Sequence, residues 1–217
     1  MVATPIGNLE DITLRALRVL REVQVIACED TRRTAKLLAH HHIPKPEMIS
    51  HYQGNETRST ARLLEKLAGG LDVALVCDAG TPGVSDPGYR LVSAAVEQGF
   101  EVIPVPGPSA LLAGLSVSGL ATDSFVFQGF LPRKKGHRTE KLRELAEQPR
   151  TVVIYESVHR IRKTLSEMAE VFGQRRAVLC REQTKIHEQV IRSDLKQLAH
   201  MEFPQKGEFL LIVEGLQ

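Results

Sequence analysis

Three short segments carry residue types that let a main chain hold a ligand. They are Thr4-Pro5-Ile6-Gly7-Asn8, the stretch Cys77 to Gly88 reading CDAGTPGVSDPG, and Pro106-Gly107-Pro108-Ser109-Ala110. Glycine lets backbone N–H and C=O groups approach a ligand without interference from Cβ, and proline restricts the loop around it. Each segment follows an apolar run with strand character: the start of the chain, Val73 to Val76, and Val102 to Val105. In an open α/β sheet ligands collect at the carboxyl ends of the strands, so three such loops predict one shared crevice.

The chemistry of that crevice is narrowed by what is missing. Neither G-x-x-x-x-G-K-[ST] nor G-x-G-x-x-G leading into a helix occurs, which disfavours nucleoside triphosphates and NAD. Thr81, Ser85 and Ser109 instead bring small hydroxyls beside exposed backbone. That suits a ligand read by hydrogen bonds without strong countercharge, such as an adenosine joined to an amino acid. Elsewhere, Arg133, Lys134, Lys135, His137 and Arg138 form the densest basic cluster, in a segment rich in loop signals and suited to gripping phosphate. The tract His40-His41-His42 does not read as a metal site, because consecutive helical residues point about 100° apart and no cysteine or carboxylate cluster accompanies it. No metal is expected. Cys28, Cys77 and Cys180 lie far apart and read as reduced, buried thiols.

The elements that must position these groups alternate along the first half. Strand-like Val23 to Ala27, Val73 to Val76 and Val102 to Val105 are interleaved with helix-like Thr34 to His41, Thr57 to Leu67 and Tyr89 to Gln98. An earlier helix carries Leu14, Leu17 and Val19-Leu20 on one stripe, with Asp11 as its expected N-cap. That alternation predicts a mostly parallel sheet. The pattern loosens into small residues near Gly114 to Asp123, which divides the chain into domains at 1–118 and 119–217. The second domain offers strands at Phe125 to Phe130, Thr151 to Tyr155, Ala177 to Cys180, Gln189 to Ile191 and Phe209 to Val213. Helices are expected near Lys141 to Glu147 and Ile161 to Phe172, giving a mixed sheet flanked by helices. With 217 residues, and 28 lysines and arginines against 26 aspartates and glutamates, size and global charge fit a soluble α/β protein and say little about partners. No apolar run approaches the roughly 20 residues that span a bilayer, and the start lacks a secretory pattern, so a cytoplasmic location with no membrane partner is expected.

Taken together, VATPIGNLEDIT at 2–13, CEDTR at 28–32, CDAGTPGVSDPG at 77–88 and VPGPSA at 105–110 resemble the tetrapyrrole-type S-adenosylmethionine methyltransferases. GFLPRKKGHR at 129–138, YESVHR at 155–160, REQTKIHE at 181–188 and KGEFLLIVEG at 206–215 resemble the group within that superfamily that modifies small-subunit ribosomal RNA. The resemblance runs nearly end to end. It departs at Val158, where the group generally has proline, and at Gln183, where leucine is usual. The group also has more residues before VATP and a helical segment after the last block.

The resemblance implies two α/β domains, a homodimer, and S-adenosylmethionine folded in a cleft between the domains. It implies methyl transfer to the 2′-hydroxyl of a cytidine ribose in the decoding region of 16S rRNA, with the small ribosomal subunit as partner and no DNA. Carried over residue by residue, the cofactor contacts are Pro5, Ile6, Gly7, Ala79, Gly80, Thr81, Val84, Ser109, Ala110 and Tyr155. The expected proton acceptors or catalytic groups are Glu156, Asp30, Glu182 and Lys185, with Glu29 beside them; the plain alternative for each carboxylate is a salt bridge to an arginine such as Arg32 or Arg160. Arg32, Arg33, Arg133, Lys134, Lys135, Arg138 and Arg160 are expected to contact RNA. Two rival readings share the crevice: a methyltransferase for a tetrapyrrole or other small molecule, and a chain that binds rRNA or cofactor without turnover.

Overall fold

A computed structural model describes residues 1–217. The chain divides into two compact units, Met1–Ser109 and Ala110–Gln217.

The first unit contains α1 (Leu14–Glu22), β1 (Val25–Cys28), α2 (Thr31–His40), β2 (Glu47–Ser50), α3 (Glu56–Ala68), β3 (Val73–Leu75) and α4 (Tyr89–Glu97). The strands form an all-parallel sheet in the order β2-β1-β3. Successive side chains of a strand point to opposite faces, and both faces here are covered. Ile26, Cys28 and Ala74 pack with Ala16 and Leu20 of α1 and with Leu37 and Leu38 of α2. Val25, Ala27, Ile49 and Leu75 pack with Leu63 of α3 and Leu91 of α4. Such double burial explains the near-continuous apolar runs of β1 and β3. Two expectations change. Thr13, not Asp11, caps α1, its hydroxyl accepting from the Ala16 N–H at 3.1 Å; Asp11 closes a short 3-10 turn begun at Leu9. Val102 to Val105 forms no ladder: only Val105 bridges, parallel to Val2. Single hydrogen bonds still lay Met1–Ala3 between β3 and that segment, from Val2 N–H to Leu75 C=O at 2.9 Å and from Val105 N–H to Met1 C=O at 2.8 Å.

The second unit contains α5 (Ala110–Ser118), β4 (Phe125–Phe130), α6 (Lys135–Ala146), β5 (Thr151–Ser157), α7 (Ile161–Phe172), β6 (Arg176–Arg181), β7 (Gln189–Asp194), α8 (Leu195–His200) and β8 (Glu208–Val213). Its sheet runs β4-β5-β8-β6-β7, with β4 and β5 parallel and the remaining pairs antiparallel. Ile161, Leu165, Met168 and Phe172 make one stripe of α7, pressed on Val152, Ile154, Leu179 and Leu211. The opposite face, with Val153, Val178, Leu210 and Ile212, is covered by Leu115 of α5. α5 therefore packs on the second sheet, although 1–118 reads as one domain in the sequence. It is apolar on all sides, so periodicity gives no sign of it. Neither β2 nor α8 was expected; each is a short element of four or six residues. α6 begins six residues before the expected helix.

Candidate active site and RNA-binding groups

The loop after β3 leaves the carboxyl end of the parallel sheet, the other two follow the single bridge between Val2 and Val105, and hydrogen bonds tie the three to one another. Thr4 exchanges a pair with Gly80, N–H to C=O at 2.9 Å in both directions, and its hydroxyl donates to Cys77 C=O at 3.0 Å. Ala3 N–H reaches Val105 C=O at 3.3 Å, and the Thr81 hydroxyl donates to Pro108 C=O at 3.3 Å. The three segments singled out in the sequence thus meet within this unit. Gly80 adopts φ 86, a left-handed backbone that L residues avoid. Val2 to Ile6 are buried, while Gly7, Thr81 and Val84 are exposed. The loop after Gly80 makes one main-chain hydrogen bond of its own, Val84 N–H to Thr81 C=O at 3.3 Å. Peptide groups and small hydroxyls on a braced frame, without a cation, fit a nucleoside carrying an amino acid and not a polyphosphate.

Replacing Gly80 by alanine would force its side chain into that backbone, at roughly 1–2 kcal/mol. The new Cβ would meet Ile6 Cγ2 at 3.5 Å and Pro108 O at 3.8 Å, both ordinary van der Waals separations, so the cost is conformational. Gly80→Ala is expected to lower the melting temperature and to weaken cofactor binding in calorimetric titration.

Carboxylates crowd the same strand ends. Asp30, after β1, caps α2 by accepting from Arg32 N–H at 2.8 Å, and the Arg32 guanidinium grips it at 3.0 and 2.7 Å. Those hydrogen bonds hold Asp30 far below the usual carboxylate range, so it is a weak base. Asp78 accepts from Asp30 N–H at 3.0 Å and faces Arg33 at 3.4 Å. Glu29 is different: half-buried, in no ion pair, and shifted upward first by burial and then by the charges of Asp78 and Asp86. Adjacent carboxylates pushed in opposite directions are the arrangement from which acid–base assignments are read.

Within the second unit several expected roles change. Glu156 is 2 % exposed. Its Oε2 accepts from Arg160 at 3.1 Å and Thr164 at 2.7 Å, and its Oε1 from Ser157 N–H at 2.7 Å. With both oxygens engaged and no open face, it is not placed to take a substrate proton. Arg160 is drawn into the same network through Nη2, which also donates to Leu131 C=O at 2.8 Å, and it is only partly exposed. Arg138 is 4 % exposed and paired with Glu167 through two bonds at 2.6 and 2.7 Å, so it leaves the RNA-binding set. Lys185 bridges Glu182 and Glu208, at 2.9 Å each; these charges satisfy one another. The Tyr155 hydroxyl accepts from Leu111 N–H at 3.2 Å and so anchors the start of α5. Gln183, the departure from leucine, is buried, and its amide joins Ala110 C=O and Gly114 N–H of α5.

Arg133, Lys134 and Lys135 remain exposed and unpaired. Arg133 and Lys134 lie in the bend that leads into α6, in keeping with the loop signals there, and Lys135 is its first residue. Lys134 is the N-cap and makes no side-chain cap, and the first turn has no acidic residue. Cations at a helix N-terminus oppose the helix dipole, and a phosphate there would relieve both the repulsion and the uncapped N–H groups.

Two α/β units, with a main-chain-lined loop site at the strand ends of the first, define a small-ligand enzyme class. Residues 1–199 match the family model of the tetrapyrrole (corrin/porphyrin) methylases, and the chain belongs to that family. It is similar to the ribosomal RNA small subunit methyltransferase I of Halalkalibacterium halodurans, 48% identical over 99% of this chain and 75% of that protein. The corresponding protein of Xylella fastidiosa is 50% identical over 99% of this chain and 80% of its own length. Among solved structures, a cobalt precorrin-4 methyltransferase superposes with a TM-score of 0.69 at 17% identity, over 98% of this chain and 92% of the other. Thermus thermophilus uroporphyrin-III C-methyl transferase complexed with S-adenyl homocysteine gives 0.64 at 23% identity, over 97% and 94%. These last two establish the fold.

No helix is long and apolar enough to cross a membrane. The three cysteines are free and buried.

Proposed function

We propose that this chain transfers the methyl group of S-adenosylmethionine to the 2′-hydroxyl of a cytidine ribose in the decoding region of small-subunit rRNA. The observation that carries the reading is identity near one half, over 99% of the chain, with proteins named for methylating that RNA. Bound cofactor would supply a methyl carbon already activated by its sulfonium. Pro5, Ile6, Gly7, Ala79, Gly80, Thr81, Val84, Ser109 and Ala110 are the residues proposed to hold it, mainly through peptide groups. Tyr155 would act through its hold on α5.

The protein's own work is then to orient a ribose hydroxyl, exclude water and accept a proton. Orientation alone is worth about 7–11 kcal/mol, and a placed base adds about 10²- to 10⁴-fold. We assign the base to Glu29, because its raised affinity for protons, net of the opposing pull of Arg33, and the lack of any direct ion pair suit that work, whereas Asp30 and Glu156 are committed to structure. Arg133, Lys134 and Lys135 grip RNA phosphates, with Arg33 and Arg32 exposed but partly neutralised by Asp78 and Asp30. A cytoplasmic homodimer acting on the small ribosomal subunit completes the reading, and subunit mass in solution checks the dimer.

The deciding experiment offers labelled S-adenosylmethionine to small subunits lacking the modification, to naked rRNA and to tetrapyrrole precursors. Label in ribose is expected. Label in pyrrole carbons, or cofactor binding with no transfer, would overturn the assignment. Reversing Lys134 and Lys135 to glutamate is expected to leave cofactor affinity unchanged and to weaken RNA binding. The slope of log affinity against log salt should fall by about 0.7 for each single-strand phosphate that the variant no longer neutralises.

A further inference from the structure

β4 carries one residue more than its neighbour across a short interval. Phe127 stands opposite Val153 and Phe130 opposite Tyr155, so three steps along β4 match two along β5. The surplus residue is Gln128, which has no partner on β5; next to it Gly129, opposite Ile154, takes a φ of 69 that a side-chain-bearing residue would resist. In an unbroken ladder, position 129 would share the face of Tyr155 and Phe130 would point to the other side of the sheet. The bulge turns Phe130 back. Bulges of this kind re-aim a side chain, and they concentrate beside functional sites.

The re-aimed ring is held firmly yet left half bare. It lies 5.8 Å from the Tyr155 ring at 47°, and Tyr155 meets Phe127 edge-on at 5.0 Å and 78°. The Tyr155 hydroxyl is fixed in turn by Leu111 N–H at 3.2 Å. Phe130 nevertheless remains 53% exposed. Three unpaired cations follow at once, Arg133, Lys134 and Lys135, and the intervening chain keeps Lys134 within about 14 Å of Phe130. Stacking faces beside backbone-tracking cations are how proteins hold single-stranded nucleic acid.

We propose that Phe130 is a stacking platform for one unpaired nucleobase of the RNA, and that the phosphates flanking this base are the ones held by Arg133, Lys134 and Lys135. The inference rests on the reading of RNA as substrate. It adds that the substrate must present an unpaired base, because a base inside a duplex offers no free face.

The chain has no tryptophan, so Phe130→Trp introduces a single indole, which can be excited at wavelengths where the three tyrosines do not absorb. Titration with a short single-stranded oligoribonucleotide is expected to quench its emission; the same sequence as a duplex is not. Phe130→Ala should bind the single strand about 5- to 150-fold more weakly, with cofactor affinity unchanged. Phe130→Tyr should bind within a few-fold of wild type, and Phe130→Leu should weaken binding while melting like wild type, which separates loss of stacking from loss of fold. The proposal is overturned if Phe130→Ala binds as wild type does, if emission is unchanged when a labelled strand is shown to be bound, or if the duplex quenches equally. Failure of the wild-type protein to bind any RNA would instead sink the substrate reading beneath it.

Discussion

Replacing Glu29 by glutamine is expected to cut kcat by about 10²- to 10⁴-fold, with cofactor affinity preserved. The isosteric change removes only the ability to take a proton. Stability should move the opposite way. Burial and the charges of Asp78 and Asp86 raise the Glu29 carboxyl above its ordinary value of 4.5. The folded state therefore binds this proton more tightly than the unfolded state does. The stability linked to that proton is fully present below the ordinary value and is lost as pH rises through the raised one. At pH 7 the carboxylate thus costs stability that glutamine does not, so Glu29→Gln is expected to melt higher than wild type at pH 7. The advantage should vanish below about pH 4.5. Single-turnover rates together with melts at pH 7 and pH 4 test both halves. A slower enzyme that is also less stable at pH 7 would point to a structural role.

Glu156→Ala is expected to give the largest loss of stability, about 3 kcal/mol or more, because it leaves a buried donor set without its acceptor. Thr164 would lose its 2.7 Å partner and Ser157 N–H its own, while Arg160 would keep only Leu131 C=O. Glu156→Gln retains an oxygen of the same reach and should restore most of that loss. Below the melting transition, turnover of Glu156→Gln should remain within a few-fold of wild type. If the glutamine variant folds normally but is inactive, Glu156 is the base after all, and the network around it serves catalysis as well as structure. Denaturant unfolding and steady-state kinetics at one temperature separate the two cases.

The contrast between these two carboxylates shows what residue order can and cannot reveal. Glu29 and Glu156 each lie at the end of a predicted strand, and the sequence puts Glu156 first as the base. Their difference comes from partners far along the chain for Glu29, Asp78 and Asp86, and from the helix that follows for Glu156, through Arg160 and Thr164. The basic cluster divides in the same way. Lys134 and Arg138 are four residues apart, and only the folded chain brings Glu167, twenty-nine residues on, against Arg138 to remove it from the surface.

Local chemistry was enough for the glycine- and proline-rich loops, for the buried strands and for α7, because backbone preference and apolar spacing act between near neighbours. The bounds of β4 and α7 follow from those signals. Tertiary structure alone decided that α5 joins the second unit, that Val102 to Val105 contributes one bridge in place of a strand, and that a bulge turns Phe130 outward. Each depends on which distant surface supplies the packing or the hydrogen bond that the segment itself lacks, and no spacing within a segment encodes that.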